Sequence, residues 1–298
     1  MSKKTVVGGL ILLVFLGILA AALVYRPKAN GVSQGGGGKI AVIFIEGEIT
    51  GDSGGDIFGG GAGSFAIMEQ LKQAREDDSV QAVLLRLNTP GGSSPAAQEI
   101  GMEVEKLKQA GKIVVASMGD MAASGGYWIA ALADKIVANP ATMTGSIGVI
   151  MELQNLEELY RKIGIDIRVV KSGPHKDMGS SARELTPEER QILQAMVDDI
   201  YNQFVEVVAK GRKLSVERVK ELADGRVYTG AQAKELGLVD ELGNYYDAIK
   251  ITAQMAGIKG EPQIVRYDAR SPWELFLGGL GSKLELFNYA SDKALTVR

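Results

Sequence analysis

The sequence predicts an α/β domain built on a buried, largely parallel sheet and preceded by a single membrane-spanning segment. Short β-branched or apolar runs at residues 40–45, 80–87, 113–116, 136–138 and 165–170 have the length and composition of strands. Helical spacing of apolar residues at 65–75, 95–109, 126–133 and 153–163 falls between them, and such alternation places helices on the faces of a sheet. Residues 6–25 are uncharged and almost wholly apolar, enough for a helix to cross a hydrocarbon core of about 30 Å.

Taken in order, residues 1–28 form the anchor, with Lys3 and Lys4 before it and Arg26 and Lys28 after it. Positive-inside reasoning leans towards a cytoplasmic N-terminus. The rival is a cleaved signal peptide, with Ala20, Ala21 and Ala22 supplying small residues, although an apolar core of roughly 7–15 residues is more usual there. Residues 29–38, ending in four glycines, form a flexible linker, and the folded domain covers 39–257. Within it, residues 54–63 are glycine-rich but lack the lysine of a phosphate loop and read as a surface loop. A long helix is predicted over 186–210, because Thr186, Pro187 and Glu189 carry an N-cap, N1 and N3 signature. Its stripe Ile192, Met196, Ile200 and Phe204 suits a core or a subunit interface. Helices at 215–222, 231–236 and 245–256 follow. Residues 258–298 hold a strand at 263–267 and an apolar tail with Trp273, Phe276, Leu277 and Leu280, suited to packing on a neighbour or lying at a membrane surface.

A formal charge of -3 spread along 298 residues gives no basic footprint for nucleic acid. The absence of cysteine excludes disulfides and thiolate metal sites, and no metal or cofactor cluster is expected.

Ser124 stands in Met121-Ala122-Ala123-Ser124-Gly125-Gly126, ahead of an apolar helical run. A serine at a helix N-terminus lies beside free backbone N–H groups that stabilise an oxyanion, which points to acyl transfer. Ala122 breaks the Gly-x-Ser-x-Gly elbow and argues against a standard α/β-hydrolase. The sequence holds one histidine, His175, in a polar loop where surface exposure is the ordinary explanation, so a Ser-His-Asp triad is disfavoured. The activating base is then a lysine, Lys176 or Lys171, with its pKa depressed by burial when competent. The amides of Gly91, in the turn Thr89-Pro90-Gly91-Gly92, and of Gly125 suit the oxyanion hole, since a Cβ would obstruct close approach. Tyr127 and Trp128 suit either a substrate groove or the core, and Asp120 suits a cap on the turn before the serine.

Together Pro90-Gly91-Gly92, the segment 119–127, Thr144-Gly145-Ser146-Ile147-Gly148-Val149 and the Lys176 loop resemble the signal peptide peptidase A family over residues 39–257. The resemblance implies a Clp/crotonase-like fold of repeated strand-strand-helix units and a membrane-anchored serine peptidase that degrades signal-peptide remnants. It assigns Ser124 as nucleophile, Lys176 rather than Lys171 as general base, Ser146 as the group that holds the lysine amine, and Gly91 and Gly125 as the oxyanion hole. One copy of each motif corresponds to the short bacterial form. The family implies ring-shaped homo-oligomers whose sites draw serine and lysine from adjacent protomers, with the peptidase domain on the extracytoplasmic face of a bacterial membrane. Substrates are expected to be apolar peptides in an extended groove. Two other classes compete: a crotonase-like acyl-CoA enzyme, which the anchor and the serine-lysine pairing oppose, and a non-catalytic membrane scaffold, which leaves that pairing unexplained.

Overall fold

The computed structural model describes residues 38–52 and 61–267. The predicted anchor at 6–25, most of the linker and of the glycine-rich loop, and the apolar tail lie outside the described residues. Among the described residues no helix is long and apolar enough to cross a membrane. In chain order the elements are β1 (Lys39–Glu46), β2 (Glu48–Thr50), β3 (Gly61–Gly63), α1 (Ser64–Glu76), β4 (Val80–Thr89), α2 (Ser94–Gln109), β5 (Ile113–Ala123), α3 (Gly125–Ala131), β6 (Lys135–Ala138), β7 (Met143–Gly145), α4 (Glu157–Lys162), α5 (Pro187–Arg212), α6 (Val216–Leu222), β8 (Val227–Thr229), α7 (Gly230–Glu235), β9 (Glu241–Leu242), α8 (Tyr245–Met255) and β10 (Gln263–Val265).

The main sheet runs β10-β1-β4-β5-β6-β9 with every neighbour parallel. Parallel strands need crossovers, and the helices that make them cover both faces, so the central strands are apolar on both sides. Ala41, Ile43 and Ile45 of β1 and Val83, Leu85 and Leu87 of β4 face a large cluster that includes residues of α1, α2, α3 and α5. The alternate residues Ile40, Val42, Ala82 and Leu84 face the other way, against Ala248 and Ala253 of α8. Fully buried leucines such as Leu84 and Leu85 each contribute roughly 1.5–3 kcal/mol.

Strand β5 runs well past the predicted end at residue 116, because it changes partner along its length. Residues 115–117 pair with β6, and Met121, Ala122 and Ala123 pair with Met143, Thr144 and Gly145 of β7, which is backed by antiparallel β8. On its other side the strand end stays paired with β4, Ala122 opposite Thr89. Asp120, expected as a turn cap, is an exposed residue of that strand.

The strand predicted at 165–170 does not form. Residues 165–170 have no regular structure, and Ile163, Ile165, Ile167 and Val169 are each about half exposed. The alternating pattern is present, but no strand pairs with it among the described residues, and an isolated strand leaves its backbone groups without partners. Helix α4 is also shorter than predicted, starting where Asn155 Oδ1 accepts the Glu157 N–H at 2.9 Å. Helix α5 opens as its sequence signature predicts: Thr186 Oγ1 accepts from the Glu189 N–H at 3.2 Å, and the Glu189 carboxylate accepts from the Thr186 N–H at 3.0 Å.

Candidate active site

Ser124 is the hinge residue between β5 and α3. Its φ of 52° and ψ of −121° are unusual for a residue with a side chain and cost about 1–3 kcal/mol, so the surroundings must hold it there. The Ser124 N–H donates to the Gly145 carbonyl at 2.9 Å, and its own carbonyl accepts from the Trp128 N–H at 2.9 Å. One bond fixes the serine to β7 and the other starts the helix. Although the Gly-x-Ser-x-Gly pattern is absent, the result is a strained strand-to-helix turn that presents a serine.

Ala123 pairs with Gly145, so Ser124 and Ser146 leave two adjacent strand ends side by side. Ser146 also has a positive φ, 49°. Both serines line a cavity of about 640 Å³, together with Pro90, Gly91 and Gly92 from the turn after β4. Gly91 cannot carry a side chain here: its φ is 103°, and a Cβ would sit 2.7 Å from the Ser124 Cβ and 2.8 Å from the Gly125 nitrogen. The Gly91 N–H, however, donates to Thr89 Oγ1 at 3.0 Å and is already in use. The adjacent Gly92 and the helix-opening Gly125 have backbone N–H groups without a hydrogen-bond acceptor among the described residues.

The remaining wall comes from residues that sequence reasoning did not select. Val149, Ile150, Val197 and Ala223 give it an apolar side, and Glu48, Asp198, Tyr201 and Asp224 give it a polar side. Arg226 hydrogen bonds pull the Asp224 carboxyl down to about 2, while burial, then Asp224, raises the Tyr201 hydroxyl. These positions come from β2, the segment after β7, α5 and the loop before β8, and apart from Val149 they carry no local motif.

Tyr127 and Trp128 do not form a groove. Tyr127 is fully buried and its hydroxyl donates to the Leu238 carbonyl at 2.8 Å, while Trp128 stacks on Phe204 with ring centroids 4.9 Å apart. As the third and fourth residues of α3 they point into the core, and neither lines the cavity.

Lys176 is exposed on a turn between Gly173 and Gly179 and does not line the Ser124 cavity of the same chain. Lys171 is engaged elsewhere, donating to the Pro174 carbonyl and to Asp177. His175 Nε2 lies 3.7 Å from Glu188 on the surface. Neither the Ser124 nor the Ser146 hydroxyl has a hydrogen-bond partner among the described residues. The described residues therefore bring a candidate nucleophile, a second hydroxyl and candidate oxyanion donors into one cavity, without a base among them at hydrogen-bond distance. Among the described residues no group of three or more acidic or histidine side chains is placed to hold a metal.

The profile of peptidase family S49 matches residues 106–259, which span β5, the Ser124 turn, Ser146 and the Lys176 loop. The chain belongs to this family. A protein of Synechocystis named as a protease is 47% identical over 232 residues, covering 78% of this chain and 82% of its own. Protease 4 of Salmonella typhi is 42% identical over 223 residues, covering 75% of this chain and 35% of its own length. A protein of Enterococcus faecium named as a signal peptide peptidase SppA is 45% identical over 182 residues, covering 61% of this chain and 53% of its own. As an S49 family member and signal peptide peptidase A relative, the chain is a serine peptidase.

Proposed function

We propose that the chain is a membrane-anchored endopeptidase in which Ser124 attacks apolar peptides, including the remnants of cleaved signal peptides, with Lys176 of a second copy as general base. The observation that carries this reading is Ser124 itself, held at a strained φ between strand and helix with its hydroxyl unpaired and two free amides beside it. The neutral amine takes the Ser124 hydroxyl proton as Oγ attacks the scissile carbonyl carbon. The amides of Gly92 and Gly125 receive the developing oxyanion, Gly92 taking the place of the engaged Gly91. The ammonium then protonates the leaving amine as the C–N bond breaks, and the acyl ester is hydrolysed by water with the same amine as base. Ser146, beside Ser124 in the cavity, hydrogen-bonds the amine and holds it.

An exposed Lys176 and a Ser124 with no base at hydrogen-bond distance among the described residues favour a site shared between copies. Exposed Ile150, Ile163, Ile165, Ile167, Val169 and Met196 supply an apolar face for a second copy, in a ring-shaped homo-oligomer. The parallel sheet with its outlying strand pair β7 and β8 supports the Clp/crotonase-like fold. The apolar stretch 6–25 and the lysines before it support a single-pass anchor with the domain on the extracytoplasmic face of a bacterial membrane.

A serine-directed fluorophosphonate tests the assignment: the wild-type assembly is expected to label and hydrolyse peptide, and Ser124→Ala to do neither. Lys176→Arg is expected to be inactive, since guanidinium stays charged near neutrality. Label retained by Ser124→Ala, or full hydrolysis by Lys176→Arg, would overturn it.

A further inference from the structure

Lys176 lies in a stretch without regular secondary structure between residues 171 and 186, where local backbone bonds such as Lys176 N–H to the Gly173 carbonyl shape the turn and side-chain bonds tie it to α5. Asp177, the next residue, accepts from Arg183 Nε at 3.0 Å, from Arg183 Nη2 at 2.7 Å and from Lys171 Nζ at 2.7 Å. The same guanidinium donates through Nη1 and Nη2 to Glu189 Oε2 and Oε1, at 2.8 and 2.5 Å. Glu189 is almost fully buried, its side chain 2% exposed, and its carboxylate also closes the first turn of α5 through Thr186. One planar fork thus ties the neighbour of Lys176 to the start of a long helix, and fork geometry of this kind is specific to arginine.

The charges in this knot balance: Lys171 and Arg183 against Asp177 and Glu189. That balance bears on chemistry, because a carboxylate one residue from an amine favours its ammonium form, the opposite of what a base requires. Arg183, then Lys171, holds the Asp177 carboxyl well below the usual carboxylate range, and Arg183 pulls Glu189 down to about 2. The charged and titratable groups around the turn are Lys171, His175, Asp177 and Arg183 on the loop, and Glu188 and Glu189 on α5.

We propose that Arg183 is a positioning residue for hydrolysis: its guanidinium fixes the Lys176 turn to the first turn of α5 and neutralises the carboxylate of the residue that follows Lys176. This rests on the reading of Lys176 as general base.

The test uses the purified full-length assembly with an apolar peptide substrate, comparing wild type with Arg183→Gln, Asp177→Asn and Lys176→Ala. Arg183→Gln is expected to lower kcat on the order of 10²-fold with little change in KM, and to move the rising limb of the pH-rate profile to higher pH. Asp177→Asn keeps an acceptor oxygen but removes the negative charge, and should move that limb to lower pH. A merely structural arginine would reduce the rate without moving the limb, and an unmoved limb in Arg183→Gln overturns the proposal. Should Arg183→Gln fail to assemble, Asp177→Asn decides: a limb moved down supports it, an unmoved limb overturns it. Full activity in Lys176→Ala would bring down the lysine reading and this inference with it. An inactive Lys176→Ala beside an unmoved limb removes the inference alone.

Discussion

At the scale of single residues, the site depends on how closely two turns approach. Gly91 and Ser124 each hold a positive φ, and each leaves no room for the other to change. Gly91→Ala would place a methyl group 2.7 Å from the Ser124 Cβ, in a backbone conformation an alanine rarely adopts. We expect this variant to lose about 1–3 kcal/mol of stability and to hydrolyse peptide on the order of 10²-fold more slowly, readable by thermal melting and steady-state kinetics. Wild-type kinetics in a folded variant would show that the two turns do not constrain each other. At this scale the sequence was informative where the backbone needs an unusual residue: Ala-Ser-Gly-Gly and Pro-Gly-Gly mark Ser124, Gly125 and the Gly91 turn, and Thr144-Gly145-Ser146 marks the second serine. It did not separate Gly91 from Gly92, because which amide is free depends on where the Thr89 hydroxyl turns. Nor did it decide between groove and core for Tyr127 and Trp128, since an aromatic residue after the serine suits both until the helix phase is known.

At the scale of elements, helix α5 joins three features: its first turn holds the Lys176 loop, its middle borders the cavity at Val197, Asp198 and Tyr201, and its later residues Phe204, Val205 and Val208 enter the core. The first of these is acid-sensitive. Glu189 and Asp177 both have pKa values lowered by Arg183, so their contribution is complete above the ordinary carboxylate pKa near ~4 and is lost as pH falls towards about 2. The urea midpoint is therefore expected to drop between pH 5 and pH 3, and to drop less in Glu189→Gln. An equal drop in both proteins would show that the carboxylate is not what responds. Long elements with a cap or a clear period were readable from sequence, α5 and α2 above all. Strands β7, β8 and β9 are two or three residues long, too short for a period to register, and tertiary neighbours define them. The stripe on α5 was visible, yet Met196 is exposed while Phe204 is buried, because among the described residues no layer covers Met196. Residues 165–170 failed for the same reason: the strand pattern is there, and among the described residues no partner strand is.

At the scale of the whole molecule, Ser124 in one place and Lys176 exposed in another allow a direct experiment on the proposed shared site. Ser124→Ala and Lys176→Ala proteins are each expected to be inactive, and co-assembling equal amounts should restore activity. With serine and lysine drawn from different copies at random, about a quarter of sites hold both intact, so about a quarter of the wild-type rate is expected. A mixture no more active than its parts would place both groups in one chain. Strand β5 bears on a separate matter, the kinds of sequence change this architecture can absorb. Its early residues are locked to β6 and its late residues to β7, and its register against β4 shifts between the two, after Met118. Since successive side chains on a strand point to opposite faces, one residue gained or lost in the regularly paired stretch from Ile113 to Met118 would put part of the core on the wrong face. Among descendants of this chain, length can drift in an exposed connection such as 259–262, whereas the paired stretch of β5 is a fixed ruler.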